Sequence, residues 1–372
     1  LELKRQGYTP ESVPGAGKKV LIQRNGNVTL DVTDLVHPDV DAVVALAARV
    51  VGLDIAGIDV VAEDISRPLE EQRGAIVEVN AGPGLHMHLM PAEGEPRPVG
   101  RAIVDNLFPV GEDGRIPIVG VAGTQDTSLI ARLVAWLIHL WGRSVGLACR
   151  DGLFLDLRQV EKKDCANWAA GQRLLINRTL EAAVFENGAE LILGQGLAYD
   201  RCQVGIVTDV EGAAALGQYD IQDAEQMFHV LRTQVDVVSP GGAAVLNAAD
   251  PVVMRMAVLC DGEAILYGLG SNLPAIVEHR AQGRRALFLR DKRIMLAQGP
   301  VEGLLAELPV YAAPREESEA TVPRAAGLLA AAGAAVALGI PVEIIRVGIE
   351  TFEQDRNGIT PQRSHARRTA IQ

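Results

Sequence analysis

From Ile116 onward the chain repeats one pattern: a short apolar run, a loop of small residues, then a segment with helical spacing. The runs are Ile116–Val121, Ser144–Cys149, Ala182–Glu186, Val204–Val210, Ala243–Asn247 and Ala264–Tyr267, and Ser128–Trp141 and Asp223–Thr233 are among the helical segments between them. Runs apolar at every position, rather than at alternate ones, belong to strands buried on both faces, the condition of parallel strands covered by helices. The expected fold class is therefore α/β, a doubly wound, mostly parallel sheet that binds ligands outside the carboxyl ends of its strands.

Residues 1–112 have a different texture. Lys18–Gln23 is a short β-rich run, Pro38–Val51 has helical spacing with proline near its start, and Ile55–Ala62 and Ala75–Val79 are apolar strands around a charged turn. A Gly- and Pro-rich stretch from Pro91 to Pro98 and a helical Val99–Leu107 lead to the turn Gly111-Glu112-Asp113-Gly114, which places a domain boundary near Asp113. With 372 residues the chain is long enough for two or three domains, each with its own core.

Charge and cysteine usage narrow the function classes. Against 35 Lys+Arg stand 47 Asp+Glu, a formal charge of −12 without a basic stripe, so neither nucleic acid nor an anionic membrane is an expected partner. The cysteines (Cys149, Cys165, Cys202, Cys260) lack CxxC spacing and read as reduced, inert thiols of a cytoplasmic protein. The alanine-rich stretch Ala325–Ile340 is shorter than the ~20 residues that cross a bilayer and reads as a buried helix. No histidine neighbours a serine or cysteine in a nucleophile motif, which leaves a hydrolase triad without support. The chain starts at Leu1 as if inside a domain, so a fragment of a longer protein is expected.

Two places carry candidate chemistry. In Glu78-Val79-Asn80-Ala81-Gly82-Pro83-Gly84, side chains two apart on a strand share a face, so Glu78 and Asn80 can direct two oxygens at one hard cation. Asp59, on the neighbouring apolar strand, could add a third. The alternative is a solvated strand end with a Gly-Pro turn. His86 and His88 lie close by and read as ordinary surface residues rather than ligands. The second place is Gly123-Thr124-Gln125-Asp126-Thr127-Ser128, which follows an apolar strand and opens a helix, where backbone amides attract phosphate.

Gly52-Leu53-Asp54-Ile55-Ala56-Gly57-Ile58-Asp59, Gly74 through Gly84, and Met87-His88 closely resemble the carboxy-terminal part of the ATP-grasp domain of the cyanophycin synthetase family. Asp151-Gly152, Glu161-Lys162-Lys163-Asp164-Cys165, Gly196 through Cys202 and Val245 through Pro251 resemble that family's Mur-ligase-like half, and the order is kept over nearly the whole chain. The resemblance implies an ATP-dependent ligase that polymerises aspartate and arginine through an acyl phosphate. Its substrates would be amino acids or a growing aspartate/arginine peptide, and its cofactors Mg²⁺ and ATP at the ATP-grasp site. Glu78, Asn80 and Asp59 would be the Mg²⁺ ligands. The implied layout is 1–112 for the end of the ATP-grasp domain, 113–358 for a Mur-ligase central-type domain and 359–372 for a remnant of the third, lid domain. A homo-oligomer is expected.

The departures from the family are as informative as the matches. Where the family has G-T-N-G-K-T/S, the chain keeps Gly123, Thr124 and Ser128 but places Asp126 at the glycine and Thr127 at the lysine. A carboxylate about 4 Å from a phosphate oxygen repels it by about 1 kcal/mol in water and about 4 kcal/mol at an effective dielectric near 20. Glu186 matches a metal-associated glutamate, a weak candidate because the family's arginine is missing from Asn187-Gly188-Ala189-Glu190-Leu191. The N-x-x-x-D-H-L-G stretch is Asp209 through Gly217 without the Asp-His pair, a nearby lysine has become Leu231 or Arg232, and N-A-D-D-P is Asn247-Ala248-Ala249-Asp250-Pro251. An N-L-S-T-G-G stretch before the family's D-V-T-D is shortened to give Gly26-Asn27-Val28-Thr29-Leu30-Asp31-Val32-Thr33-Asp34, and Pro361-Gln362-Arg363 stands where the family has P-G-R. The expectation is a Mur-like half that has kept its fold, lost its ATP site and takes no cofactor. The alternative is a noncatalytic scaffold that associates with an active synthetase, and a cation supplied by another subunit is the third reading.

Overall fold

The computed structural model describes residues 2–22, 29–108, 110–112, 114–309 and 321–352. It divides into two compact units, Leu1–Arg115 and Ile116–Gln372.

In the first unit, helix α1 (Pro38–Val51) begins with proline at its first position, where a missing N–H costs nothing, and His37 accepts the Asp39 amide as its cap. Gly52, in the left-handed conformation, ends it. Strands β1 (Gly57–Val61) and β2 (Ala75–Asn80) pair antiparallel, with Asp59 opposite Glu78 and Gly57 opposite Asn80. Helix α2 (Val99–Leu107) covers the expected span. Arg97 braces the preceding loop by donating to both Asp31 and Asp34, and the Asp31 bonds from Arg97 and the Thr33 hydroxyl hold that carboxyl well below the ordinary carboxylate range. The β-rich run at Lys18–Gln23 is not a strand over residues 18–22: its side chains are almost all exposed, and no neighbouring strand pairs with them. Gln23 and the shortened stretch Gly26-Asn27-Val28 lie outside the described residues.

Among the described residues the second unit is built on one eleven-stranded sheet. In chain order its strands are β3 (Ile118–Ala122), β4 (Val145–Cys149), β5 (Gly152–Leu155), β6 (Arg158–Glu161), β7 (Ala182–Asn187), β8 (Cys202–Val207), β9 (Val238–Asn247), β10 (Glu263–Gly268), β11 (Arg285–Arg290), β12 (Arg293–Gln298) and β13 (Val301–Glu307). The spatial order is β13-β12-β11-β10-β9-β8-β3-β7-β4-β5-β6. From β11 to β4 every neighbouring pair is parallel, and beyond either end the pairs are antiparallel. The expectation of an α/β fold with a mostly parallel sheet holds.

All five residues of β3 are buried. Val119 and Val121 point into one core with helix α3 (Thr127–Leu140), while Ala122 points into the opposite one with helix α4 (Ala224–Leu231). Helices α5 (Thr321–Ala337) and α6 (Val342–Thr351) complete the first layer. The alanines of α5, among them Ala330, Ala331, Ala334 and Ala335, are fully buried, and such small side chains let its backbone approach α3 and the sheet closely. This is the apolar stretch that was too short for a bilayer. Among the described residues no helix is long and apolar enough to cross a membrane. Pro361-Gln362-Arg363 lies outside the described residues.

Candidate functional site

The chain leaves β3, travels to β4, returns to β7 at β3's side and then crosses to β8 on its other side. This reversal opens a crevice at the carboxyl ends of the strands. Three residues converge there from three strand ends: Arg150 just after β4, Glu186 near the end of β7 and Asp209 just after β8. The loop 123–126 between β3 and α3 lies among them.

Asp209 is only 2% exposed and occupies the mouth of that loop. Its carboxylate accepts the Thr124 amide at 3.0 Å, the Gln125 amide at 3.0 Å and the Thr124 hydroxyl at 2.8 Å. The Thr208 hydroxyl at 2.6 Å and the Glu211 amide at 3.1 Å complete its shell. Burial pushes this carboxyl up, but the hydrogen bonds from Thr208, Thr124 and Gln125 outweigh burial and hold it below the ordinary range. The loop is shaped to this partner. Gly123 has φ +120°, and a Cβ on it would sit 2.0 Å from the Thr208 hydroxyl oxygen, so only glycine lets the strand end and the Thr208-Asp209 pair approach so closely.

Glu186, 3% exposed, is saturated as well. It accepts the Thr127 hydroxyl at 2.7 Å, the Ser128 hydroxyl at 2.8 Å, the Arg150 amide at 2.8 Å and Arg150 Nε at 2.7 Å. Arg150 Nη2 reaches the Thr127 hydroxyl at 2.7 Å, so a guanidinium from β4 stands beside the position where a loop lysine was expected. Two carboxylate oxygens present about four lone-pair directions, and protein donors take them up. A metal ion at Glu186 would have to displace Arg150 or a hydroxyl, so the residues here do not fit one.

Asp126 keeps a left-handed backbone, φ +53°, at the amino end of α3 but does not cap it. Its side chain lies against Gly327 of α5, and its Oδ2 is buried without a hydrogen-bond partner. Burial raises its pKa, and Arg324 only partly offsets this. The remaining departures settle into structural roles. Leu231 is fully buried and lines the crevice, while Arg232 pairs with Asp236 instead of replacing a cation. Asp250 caps the short helix after it by accepting the Val252 and Val253 amides. Beside the loop lies a cavity of about 570 Å³ with Arg150, Glu186 and Glu211 on its polar side and Leu216, Met227 and Leu231 on its apolar side.

In the first unit, Asp59, Glu78 and Asn80 fall on one face of the β1-β2 pair, since Asp59 and Glu78 are directly opposite and Asn80 is two residues further along β2. Asp59 and Glu78 are exposed. Two carboxylates facing each other across strands repel, and a cation shared between them relieves that repulsion. His86 and His88 are exposed, and among the described residues no group of three or more His, Cys, Asp and Glu side chains forms a metal cluster.

No protein-family model matches the chain. Over 355 residues it is 37% identical to the cyanophycin synthetase of Synechocystis sp., covering 94% of this chain and 40% of that protein. Over 360 residues it is 36% identical to the cyanophycin synthetase of Geminocystis herdmanii, covering 95% and 41%. The chain is a homologue of part of the cyanophycin synthetases. It spans about two fifths of the length of these relatives. Over 111 residues, 28% of the chain, it is also 35% identical to a bifunctional glutathione biosynthesis protein of Clostridium perfringens, 14% of which is covered. Solved structures with a similar course include a muramyl-peptide ligase of Acinetobacter baumannii (TM-score 0.42, 15% identity, 64% of this chain and 46% of that one) and a pseudomurein peptide ligase type C of Methanothermus fervidus (TM-score 0.43, 16% identity, 65% and 50%).

Of the residues singled out from the sequence, the structure gathers Gly123, Thr124, Thr127, Ser128 and Glu186 at one crevice, turns Asp126 against Gly327 of α5, and sets Asp59, Glu78 and Asn80 on one strand face. The cyanophycin synthetase resemblance pointed to a missing lysine but not to Arg150, whose only signal is its place just past a central strand. Asp209 lay inside a recognised stretch, yet nothing in that stretch shows that its side chain turns back onto a loop 85 residues away.

Proposed function

We propose that the chain is part of a cyanophycin-synthetase-like ATP-dependent ligase, forming amide bonds in an aspartate/arginine polymer, in which ATP is used at the ATP-grasp half alone. The observation that carries this reading is the saturation of Glu186. Its oxygens are consumed by Thr127, Ser128 and Arg150, leaving no direction for Mg²⁺ at the Mur-like crevice. The carboxylates of Asp59 and Glu78, by contrast, face solvent.

At the ATP-grasp half, Asp59, Glu78 and Asn80 would hold Mg²⁺, which neutralises triphosphate charge and orients the transferred phosphoryl group. The residues contribute two anionic oxygens and one neutral oxygen, fixed by strand register, which together direct a cation to one face. Amino acids or a growing aspartate/arginine peptide are the substrates of this reading, in a homo-oligomer.

Mn²⁺, a spectroscopic stand-in for Mg²⁺, tests the division of labour on the chain as it stands. Electron paramagnetic resonance should show Mn²⁺ binding that Glu78→Gln and Asp59→Asn weaken and Glu186→Gln leaves unchanged. Mn²⁺ or Mg·ATP binding that Glu186→Gln abolishes would overturn it. A chain that binds no Mn²⁺ but cosediments with an active synthetase without ATP would instead support the noncatalytic scaffold.

A further inference from the structure

We propose that Asp209 is an internal anion that takes the place of a phosphate group in the β3-α3 loop and keeps that loop closed to anionic ligands. The inference rests on the reading of the Mur-like half as a site without nucleotide and names the contact that closes it.

The amides of consecutive residues in a tight loop, followed by a helix amino terminus, form a concavity that favours an anion. Here the loop 123–126 runs into α3, a helix of fourteen residues. Its Thr124 and Gln125 amides do not face an open crevice. Both donate to one buried carboxylate that is held below the ordinary carboxylate range by hydrogen bonds, with five donors drawn from residues 124–125 and 208–211.

Charge decides between the occupants. An incoming phosphate must share these amides with a carboxylate of like sign or expel it, and expulsion strips a buried charge of its partners, which is strongly unfavourable. Expelling Asp209 would also break its bonds from the Thr208 hydroxyl and the Glu211 amide. The close packing at Gly123 shows that the whole strand end is built around the pair. Asp209 therefore does two things at once. It satisfies loop amides that would otherwise be orphaned donors, and it excludes the ligands those amides attract.

Substitution should separate the two effects. Asp209→Asn keeps the shape but removes the charge, and Asp209→Ala empties the position. Titration calorimetry with inorganic pyrophosphate, on the full chain, should show no binding to the wild type and binding at least about tenfold tighter to either variant, a difference of about 1.4 kcal/mol. Folded variants that bind pyrophosphate no better than the wild type would overturn the inference and leave the proposed function standing. Wild-type binding of pyrophosphate that survives Glu78→Gln and Asp59→Asn, and so lies away from the ATP-grasp carboxylates, would overturn both. Hydrogen exchange on the wild type covers the case in which the variants fail to fold. The Thr124 and Gln125 amides should be protected, and protection should not change when pyrophosphate is added. Rapid exchange at both amides would show that Asp209 does not hold them, and would sink the proposal.

Discussion

Arg150 holds Glu186 with two different parts of itself: its backbone amide donates to one carboxylate oxygen at 2.8 Å and its Nε to the other at 2.7 Å. Glu186 is 3% exposed, so little water can replace this grip. Removing one partner of a buried pair leaves an uncompensated charge, usually about 3–5 kcal/mol, and the half-exposed Arg150 side chain, screened by water, brings the cost below that range. Arg150→Ala should lower stability by about 2–3 kcal/mol. Arg150→Ala combined with Glu186→Gln should recover part of that loss, since the stranded charge is gone. Urea unfolding of the four proteins checks both outcomes, and additive losses would contradict the coupling.

Asp126 has φ +53° without a capping bond to compensate. A left-handed residue other than glycine costs about 1–2 kcal/mol, with Asp at the favourable end. Asp126→Gly should therefore raise stability by about 1 kcal/mol, where glycine at an ordinary helix start would be neutral or unfavourable. A midpoint of urea unfolding that falls for this variant would show that the Asp126 packing against Gly327 outweighs the strain.

Gly123→Ala is the opposite case. The added Cβ would meet the Thr208 hydroxyl oxygen at 2.0 Å in a backbone region that alanine rarely enters. A loss of about 3 kcal/mol or more is expected. Thermal unfolding would measure it, and pairing the change with Thr208→Ala should restore part of the stability if the contact is the cause.

Asp209 and Asp126 should give opposite pH signatures. The Asp209 carboxyl lies below its ordinary value when folded, so its contribution is fully present above the unfolded pKa of about 3.9 and is lost as pH falls through the depressed folded value. Asp126 lies above its ordinary value, so its ionisation weakens the fold as pH rises from about 3.9 through the raised folded value. Asp209→Asn should thus cost most stability at neutral pH and little at the acid limit. Asp126→Asn should gain stability at neutral pH and gain nothing at the acid limit. Unfolding curves across that range check both signs.

The cysteines invite a chemical test. Burial, with Glu186 and Asp151 nearby, pushes the Cys149 thiol up to about 12, and burial beside Cys260 does the same for Cys202. All four are free, and Cys260 alone is not buried. Iodoacetamide should modify Cys260 first in the native chain, with Cys149 and Cys202 reacting only after unfolding. Early modification at Cys149 would contradict the buried strand end.

Much of this fold could be read from local signals. Helix α1 and helix α2 fall on the expected residues, because proline, glycine and apolar spacing act within a few positions. The parallel core was legible from runs such as β3, apolar at every position. The flanking strands were not. The β5-β6 and β11-β12 hairpins turn through Asp156-Leu157 and Asp291-Lys292, both pairs at positive φ, without the Asn-Gly or Asp-Gly signature that usually announces such turns. At the candidate site, residue types were legible and pairings were not. Asp209 and Arg150 reach the loop only because strand order brings separate strand ends together.

The contact between Asp126 and Gly327 joins the opening turn of the second unit to one of its last helices. The shape of residues 123–128 is thus not something a short peptide of the same sequence would inherit. It is imposed from outside, by a wall that exists only once the far end of the chain has docked, so that whatever this turn does or refuses to do becomes a report on whether the whole unit has finished assembling.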